Sequence, residues 1–359
     1  MDRKIRVGIT QGDYNGIGPE VILKALENET MLELCTPVIF ADYRIIERAI
    51  SQLGLEMPPM QKVSSAADAS DSKINIVDLR LSDAEVTPGR PTAASGAASV
   101  ASLEAAMQAI SDGDIDVLVT APISKEAVQS EAFHFPGHTE YLEAKAGDGA
   151  KAQMILFDKR LRVALVTTHL PVSEIAGAIS TQKIADNIRS LTATLTSDFG
   201  IERPKIAVLS LNPHCGDGGL LGNEENDIII PAIDECIGEG ILAFGPYAAD
   251  GFFGSGAYRN FDGVLAMYHD QGLAPFKTLA GDGGVNFTAG LPFVRTSPDH
   301  GTAYDIARKG EADAASMREA IYSAIDIRRN RDIYLEASAN PLQHTPTERP
   351  PRKPKTDNP

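Results

Sequence analysis

Cysteine and long apolar runs are scarce in this sequence. Its 359 residues include only three cysteines, Cys35, Cys215 and Cys236. An odd number of cysteines without a Cys-x-x-Cys pair argues against a disulfide framework and against a cysteine zinc cluster. No apolar run approaches the roughly 20 residues that span a bilayer, and the N-terminal segment lacks the apolar stretch of a secretory signal. We therefore expect a cytoplasmic protein that has no membrane partner.

Positive charge is also in short supply. Lysine and arginine number 33 against 49 aspartates and glutamates, which gives a formal net charge of −16. Such a surface repels a phosphate backbone, so we expect no nucleic-acid partner. The basic residues that do cluster lie in the proline-rich segment ERPPRKPKTDNP. This composition predicts a disordered tail over residues 337–359.

Short aliphatic runs alternate with segments of helical spacing, which indicates an α/β fold. The predicted strands are IRVGIT, TPVIFAD, INIVDL, IDVLVTAP, LRVALVTTH, PKIAVLSLNPH and FDGVLAMYH. The predicted helices are PEVILKAL, AASVASLEAAMQAI, TQKIADNIRSLTATL and NDIIIPAIDECI, and Pro19 gives the first of them a favourable start. Nearly continuous apolar strands suit a parallel sheet that is covered on both faces. The length of the chain favours two domains.

Three of the predicted strands end in a histidine. These residues are His169, His214 and His269. Ligands of open α/β sheets bind beyond the carboxyl ends of the strands, so the three imidazoles are expected to approach one another. Three neutral imidazoles that leave an open position suit a catalytic divalent metal. The residues alone leave a second interpretation open, in which each histidine only forms hydrogen bonds within its own loop.

Further polar residues lie in glycine-rich surroundings. His138 and Thr139 lie in the segment FPGHTEY, Lys277 follows His269, and Asn286 and Arg295 lie in GDGGVNFTAGLPFVRTS. Cationic side chains beside glycines, in so acidic a chain, indicate an anionic substrate such as a phosphate or carboxylate. The alternative is an ordinary loop with a surface ion pair. The segment GDYNGIGPE lacks the ending of a phosphate loop and does not match GxGxxG, and no GxSxG hydrolase motif occurs.

Taken together, these segments resemble the motifs of the 4-hydroxythreonine-4-phosphate dehydrogenase family of vitamin B6 synthesis. In order along the chain, the matching segments are GDYNGIGPE, VTAPISK, FPGHTEYL, TTHLP, LNPHCGDGG, AMYHDQGLAPFK and GVNFTAGLPFVRTSPDHGTAYDIA. They span roughly residues 8–310, which is nearly all of the expected folded part. One departure is the pair Tyr14-Asn15, which stands where the family usually has a Pro-Ala-like pair.

The resemblance implies a fold like that of isocitrate and isopropylmalate dehydrogenases, with two α/β domains flanking a cleft. We expect the first, NAD-binding domain to comprise residues 1–140 and 285–336. The second, residues 141–284, would carry the metal ligands and the interface of a homodimer. The segment HGTAYDIARKG is similar to the loop that holds the adenosine half of NAD in isopropylmalate dehydrogenases. It implies cofactor contacts from His300, Gly301, Thr302 and Asp305.

The resemblance also assigns roles to the other candidates. His169, His214 and His269 would bind the divalent metal (zinc, magnesium or cobalt) in a site that both subunits share. The substrate would contact His138, Thr139, Lys277, Asn286 and Arg295, and either Lys277 or His138 would transfer a proton. The implied reaction is NAD-dependent oxidation of 4-phosphohydroxy-L-threonine to a β-keto acid, which decarboxylates to 3-amino-2-oxopropyl phosphate.

Other functions remain open from the sequence. A related enzyme on the same scaffold would oxidise 4-phospho-D-threonate or 4-phosphoerythronate, in which a hydroxyl replaces the amine. A metal-dependent hydrolase would use a three-histidine zinc site, but the sequence offers no HExxH motif for its base. A non-catalytic binding protein is disfavoured by the histidine pattern.

Overall fold

The computed structural model describes residues 3–81, 85–130, 133–135, 137–147 and 149–340 of the chain. Within these ranges helices pack on a 12-stranded sheet, so the predicted α/β class is confirmed. The strands are β1 (Arg6–Thr10), β2 (Thr36–Ala41), β3 (Met60–Val63), β4 (Ile74–Asp78), β5 (Val117–Thr120), β6 (Gln153–Phe157), β7 (Arg162–Leu165), β8 (Lys205–Leu209), β9 (Leu242–Tyr247), β10 (Gly263–Ala266), β11 (Val285–Ala289) and β12 (Val294–Pro298).

The helices lie between these strands along the chain. They are α1 (Gly18–Leu26), α2 (Met31–Leu34), α3 (Tyr43–Leu53), α4 (Ala93–Ser111), α5 (His138–Ala146), α6 (Ile175–Ala178), α7 (Thr181–Ser197), α8 (Ile230–Gly238), α9 (Ala249–Gly254), α10 (His269–Ala280) and α11 (Ala315–Ser338). Pro19 lies in the first turn of α1, as predicted. The fourth predicted helix divides into a π-helical turn, Glu225–Ile229, and α8. None of the helices in the described ranges combines the length and the apolar character that crossing a membrane requires.

The strand order is β3-β4-β2-β1-β5-β12-β11-β6-β7-β10-β8-β9. All seven predicted strands are present, and those within each half of the sheet pair in parallel. The sheet as a whole is mixed, because β11 is antiparallel to both of its neighbours and β6 is antiparallel to β7. Strands from residues 1–140 and 285–336 form one continuous half, and strands from 141–284 form the other. The division into two domains stays a prediction.

Apolar residues pack on both faces of the sheet. On one face Ile9 and Ile39 pack with residues of α1 and α11, whereas Phe40 on the next position of β2 packs with residues of α4. Because side chains of a strand alternate between faces, this arrangement requires the continuous apolar runs that the sequence contains. The polar residues that follow the strands are thereby brought to the carboxyl edge of the sheet.

The last helix was not predicted and changes one boundary. α11 runs to Ser338, so the predicted tail, which begins at Ala337, starts inside this helix. Residues such as Leu335, Glu336 and Ala337 are good helix formers, and no proline follows until Pro341. The remainder of the predicted tail, residues 341–359, lies outside the described residues.

Candidate active site

A pocket of about 290 Å³ lies at the carboxyl ends of β5, β7 and β10. It brings together nine of the residues that the sequence predicts for the site. These are His138, Thr139, His169, His269, Lys277, Asn286, Arg295, His300 and Gly301. His214, Thr302 and Asp305 do not line it. Most of the candidate residues therefore lie in one pocket, including two of the three histidines predicted at strand ends.

Arg295 enters this pocket from β12 as a buried charge. Only 2% of the residue is exposed. Its guanidinium donates hydrogen bonds to the hydroxyl of Thr120, at 2.6 and 3.2 Å, and to the hydroxyl of Thr288, at 2.9 Å. Within the described residues no carboxylate forms an ion pair with it. Burial lowers the pKa of Arg295 to about 10, so the group stays charged at neutral pH. A buried cation without an anion is unfavourable, and the arrangement is suited to receiving an anionic ligand.

His138 is the first residue of α5 and faces the same pocket. Burial lowers the pKa of His138 well below 6.5, and the charges of Arg295 and Lys125 add to the effect. The imidazole is therefore neutral near pH 7. Its Nε2 atom is buried and has no hydrogen-bond partner among the described residues. This nitrogen is available to a ligand.

Two more residues of the pocket carry buried polar atoms that have no protein partner in the described ranges. They are the Oδ1 atom of Asn286 and the Nε2 atom of His300. Folded proteins leave few such atoms unsatisfied, so these groups are expected to bind a polar ligand or water. Lys277 contributes a further cation, and its Nζ donates to the carbonyl of Asp299 at 2.8 Å.

His169 and His269 lie next to each other at the ends of neighbouring strands. β7 and β10 pair in parallel, and the two ring centroids are 5.9 Å apart. Burial lowers the pKa of His169, with contributions from Lys125 and His269, which favours the neutral imidazole that binds metals. An oxygen of Glu140 lies 3.9 Å from Nδ1 of His169. Two adjacent imidazoles on one wall fit two positions of a divalent metal.

His214 lies in a separate pocket of about 390 Å³, which Asn212 and Tyr268 also line. It belongs to a run of six residues with positive φ, His214–Gly219, three of which are not glycine. Each of the three non-glycine residues costs roughly 1–2 kcal/mol, and strain of this kind occurs mostly at functional sites. Buried Glu225 supports the loop, since its carboxylate accepts hydrogen bonds from the backbone N–H groups of Leu211 and Asn212 at 2.8 and 2.7 Å.

The expectation that three histidines converge is therefore met by only two of them within one chain. Across the described ranges, no group of three or more His, Cys, Asp or Glu side chains is arranged to hold a metal ion. His214 follows β8 in a left-handed turn and shares its pocket with Tyr268 and Gln271, whereas His269 lines the first pocket. The two histidines that do meet fit two positions of a divalent metal.

The predicted cofactor loop, HGTAYDIARKG, packs against the segment GDYNGIGPE near the N-terminus. The carbonyl of Thr302 accepts a hydrogen bond from the N–H of Ile17 at 3.0 Å, and a Cβ on Gly16 would lie 2.6 Å from the same oxygen. The hydroxyl of Tyr304 donates to the buried carboxylate of Asp13 at 2.8 Å. These contacts hold the loop against the start of α1. Asp305 lies in the same 3₁₀ turn as Tyr304.

The unusual pair Tyr14-Asn15 has a structural role. Tyr14 is fully buried and packs with Ile45 and Ala98. The side-chain oxygen of Asn15 accepts from the N–H of Thr87 at 2.7 Å, and its backbone carbonyl accepts from Gly89 at 2.9 Å. The pair therefore holds residues 87–89, which precede α4, against the segment GDYNGIGPE.

Three charged residues of the pocket were not singled out from the sequence. They are Lys125, Glu140 and Asp299. Lys125 stands in the segment VTAPISK directly after β5, so the argument that located the histidines at strand ends could have found it. Glu140 lies one residue beyond Thr139 on α5 and could have been found in the same way.

The chain is similar to proteins of known name over most of its length. A curated protein of Bacteroides thetaiotaomicron, named 4-hydroxythreonine-4-phosphate dehydrogenase, is 53% identical over 95% of this chain and 94% of its own. A protein of Oceanobacillus iheyensis is 40% identical over 91% of this chain and 99% of its own, and its name gives D-threonate 4-phosphate dehydrogenase as a provisional assignment.

A solved structure supports the same relationship. The crystal structure named 4-hydroxythreonine-4-phosphate dehydrogenase from Klebsiella pneumoniae superposes with a TM-score of 0.78 at 34% identity, covering 90% of this chain and 99% of that one. Residues 33–324 match the family described as "Pyridoxal phosphate biosynthetic protein PdxA". The predicted resemblance is confirmed, and the chain belongs to this family of 4-hydroxythreonine-4-phosphate dehydrogenases.

Proposed function

We propose that this protein oxidises 4-phosphohydroxy-L-threonine with NAD and a divalent metal. The β-keto acid so formed would lose carbon dioxide and leave 3-amino-2-oxopropyl phosphate. Family membership supports a dehydrogenase in the synthesis of pyridoxal phosphate. The cofactor, the metal and the decarboxylation are part of this proposal, and so is a cytoplasmic location, which agrees with three free cysteines.

The observation that carries the proposal is the buried, unneutralised Arg295. The proposed substrate has a phosphate and a carboxylate, and a planar guanidinium can bind either with two parallel hydrogen bonds. Lys277 supplies a second cation on the opposite half of the sheet. Two cations held at separate points fix both ends of a short chain that has an anionic group at each end, which orients its secondary alcohol.

His138 is the residue that we propose to accept the proton of the alcohol. Its imidazole is neutral, and its free Nε2 can accept a hydrogen bond. The charge of Arg295 lowers the pKa of His138 in the free protein. A bound anion would offset that charge and raise the basicity of the imidazole when the substrate arrives. Lys277 then remains a binding cation.

His169 and His269 are proposed to hold the metal together with His214 of a second subunit. When bound, a divalent ion supplies Lewis-acid stabilisation of the negative charge that the reaction places on substrate oxygen. The two imidazoles of this chain would fix its position beside the alcohol. The arrangement of His214 in a strained, separate loop supports a role that a single chain does not complete.

The loops that carry these histidines also support a homodimer. Leu170 and Val172 follow His169, and they are 40% and 80% exposed. Leu220 and Leu221 follow His214, and they are 79% and 45% exposed. Large apolar side chains this accessible are expected to bind another surface. A second copy of the chain would cover them and bring each His214 toward the pocket of the other subunit.

NAD is proposed to bind between the pocket and the loop that contains Thr302 and Asp305. His300 and Gly301 line the substrate pocket and begin this loop. Its attachment to α1 through Ile17 gives the loop a rigid base. The nicotinamide, as hydride acceptor, would then lie at the edge of the pocket.

A second candidate function is oxidation of 4-phospho-D-threonate or 4-phosphoerythronate. The relative from Oceanobacillus iheyensis favours it. Its sequence identity to this chain, 40%, equals that of relatives named 4-hydroxythreonine-4-phosphate dehydrogenase. Both reactions need the same cations and the same histidines. The hydrolase alternative gains no support, since these relatives are named as dehydrogenases.

Initial NADH formation at 340 nm tests the proposal. The metal-loaded protein is offered 4-phosphohydroxy-L-threonine and 4-phospho-D-threonate side by side, with NAD. We expect faster turnover of the amino substrate and release of carbon dioxide. Preference for the threonate would establish the second candidate, and no NADH with either substrate would refute both. A control with metal removed by a chelator should lose activity and regain it when zinc, magnesium or cobalt is restored.

A further inference from the structure

A second and larger cavity lies on the opposite face of the sheet from the active site. Its volume is about 650 Å³, and its walls include Phe157, Phe199, Val285 and Tyr322. Phe157 and Val285 are chain neighbours of Leu156 and Asn286, which line the active site. Because successive strand residues point to opposite faces, the sheet itself separates the two cavities. The volume falls within the ~300–1,000 Å³ typical of small-molecule sites.

Part of the wall of this cavity is apolar and aromatic, and charged and polar side chains form the rest. The rings of Phe157 and Phe199 meet edge to face, with centroids 5.1 Å apart. Tyr322 and Ile327 of α11 form the facing side. This surface fits a ligand that has a flat or branched apolar body.

One cation of the cavity is not neutralised. The guanidinium of Arg162 lies 4.9 Å from the ring centroid of Phe199, and its Nη1 donates to the carbonyl of Asp262 at 3.3 Å. Its Nε is buried and has no partner among the described residues. Burial lowers the pKa of Arg162, and the more distant carboxylates of Asp262 and Asp158 offset this effect only in part.

The carboxylates that line the cavity each have a cationic partner. Asp158 pairs with Arg160 at 2.8 Å, and Asp198 pairs with Arg331 at 2.8 Å. Glu319 lies 3.5 Å from Lys159, and Asp326 lies 3.8 Å from Arg329. Since these acids already have cationic partners, Arg162 is left as the positive group that an incoming anion would meet.

We infer that this cavity binds a small organic anion, in which an aromatic or branched apolar body carries one carboxylate or phosphate ester. The anionic group would pair with Arg162, and the body would lie between Phe199 and Tyr322. The site is distinct from the active site, and the inference does not depend on the proposed function.

Calorimetric titration with benzoate, phenyl phosphate and neutral benzyl alcohol tests this inference. We expect at least one of the two anions to bind ten-fold or more tightly than benzyl alcohol, and the stronger anion identifies the preferred ester or acid. Arg162→Met should weaken that binding at least ten-fold, whereas Arg162→Lys should retain most of it. Arg295→Met serves as the matched control, because it removes the cation of the other cavity.

A second variant tests the cavity independently in case Arg162→Met fails to fold. Ser323→Trp, on α11, should fill the cavity and abolish anion binding while leaving NADH formation unchanged. Binding that survives in both Arg162→Met and Ser323→Trp would overturn the inference. Loss of binding in Arg295→Met, with retention in Arg162→Met, would place the anion in the active site and overturn it as well. Equal affinity for benzyl alcohol and both anions would also refute it.

Discussion

Replacement of Arg295 by methionine should stabilise the free protein and impair it as an enzyme. The side chain is 2% exposed, and its only hydrogen-bond partners among the described residues are the hydroxyls of Thr120 and Thr288. Burial lowers the pKa of Arg295 to about 10. An ordinary arginine titrates above about 12.5, and each pKa unit corresponds to about 1.4 kcal/mol, so burial of the charge costs about 3 kcal/mol.

The net gain from Arg295→Met is smaller than this cost. Hydrogen bonds to the two threonine hydroxyls contribute about 1 kcal/mol each, and methionine forfeits them. Methionine also fills much of the same volume with an apolar chain. We therefore expect the free energy of unfolding to rise by about 1 kcal/mol in the absence of substrate. Loss of a charge-assisted contact with an anion should lower kcat/KM by about 100-fold to 1,000-fold, equivalent to about 3–4 kcal/mol.

Urea denaturation with and without substrate measures both effects. The wild-type midpoint should rise when the phosphorylated substrate is added, and the Arg295→Met midpoint should start higher and respond little. Arg331→Met is the contrasting control, because Arg331 neutralises the buried carboxylate of Asp198 at 2.8 Å. That variant should lose about 3 kcal/mol. Destabilisation of Arg295→Met by 1 kcal/mol or more would refute the reasoning, since it would mean that the charge is compensated in the folded protein.

Three further predictions concern residues that surround this cation or support the histidines. The pKa of His138 is lowered in the folded protein, so the unfolded chain takes up the proton first as the pH falls below about 6.5. The free energy of unfolding should therefore decline by up to about 1.4 kcal/mol per pH unit. His138→Gln should make that decline shallower in urea denaturation between pH 6.5 and 5, and equal slopes would contradict a buried neutral imidazole. Gly216→Ala should destabilise the protein by at least about 1 kcal/mol more than Gly218→Ala. Both glycines have positive φ, but only a Cβ at residue 216 would contact the carboxylate of Glu225, at 2.7 Å. Equal urea midpoints for the two variants would show that this contact is unimportant. Inactive His169→Ala and His214→Ala proteins should recover about a quarter of wild-type NADH formation once they are mixed and have exchanged subunits. Half of the dimers would then be heterodimers, and each heterodimer would contain one intact site of two. Proven heterodimers without activity would exclude a shared site.

The sequence predicted the parts of the site that depend on local pattern. Continuous apolar runs identified the parallel strands, and the residues that follow them, such as His169 and His269, meet because neighbouring parallel strands end at one edge of the sheet. Pro19 identified the start of α1 in the same way. These features need only the alternation of side chains and the common direction of the strands.

Other features depend on contacts that no local pattern reveals. The strand that carries Arg295 was not predicted, because β12 gains its apolar neighbours only when it inserts between β5 and β11. The position of His214 could not be predicted, since it follows from a left-handed turn that Glu225 supports from 11 residues further along the chain. The start of the tail was predicted at residue 337, inside α11, for a simpler reason: the proline-rich composition of the tail does not extend into residues 337 and 338.

The sheet order explains why the pocket needs residues from distant parts of the sequence. Arg295 and Asn286 come from β12 and β11 in one half of the sheet, whereas His169 and His269 follow β7 and β10 in the other. A substrate that binds both sets must therefore span the junction where β11 pairs with β6. Either set alone would only hold an anion or a pair of imidazoles. Under the proposed function, their meeting at this junction would bring the anionic group and the alcohol of the substrate next to the neutral His138 as proton acceptor, within one pocket.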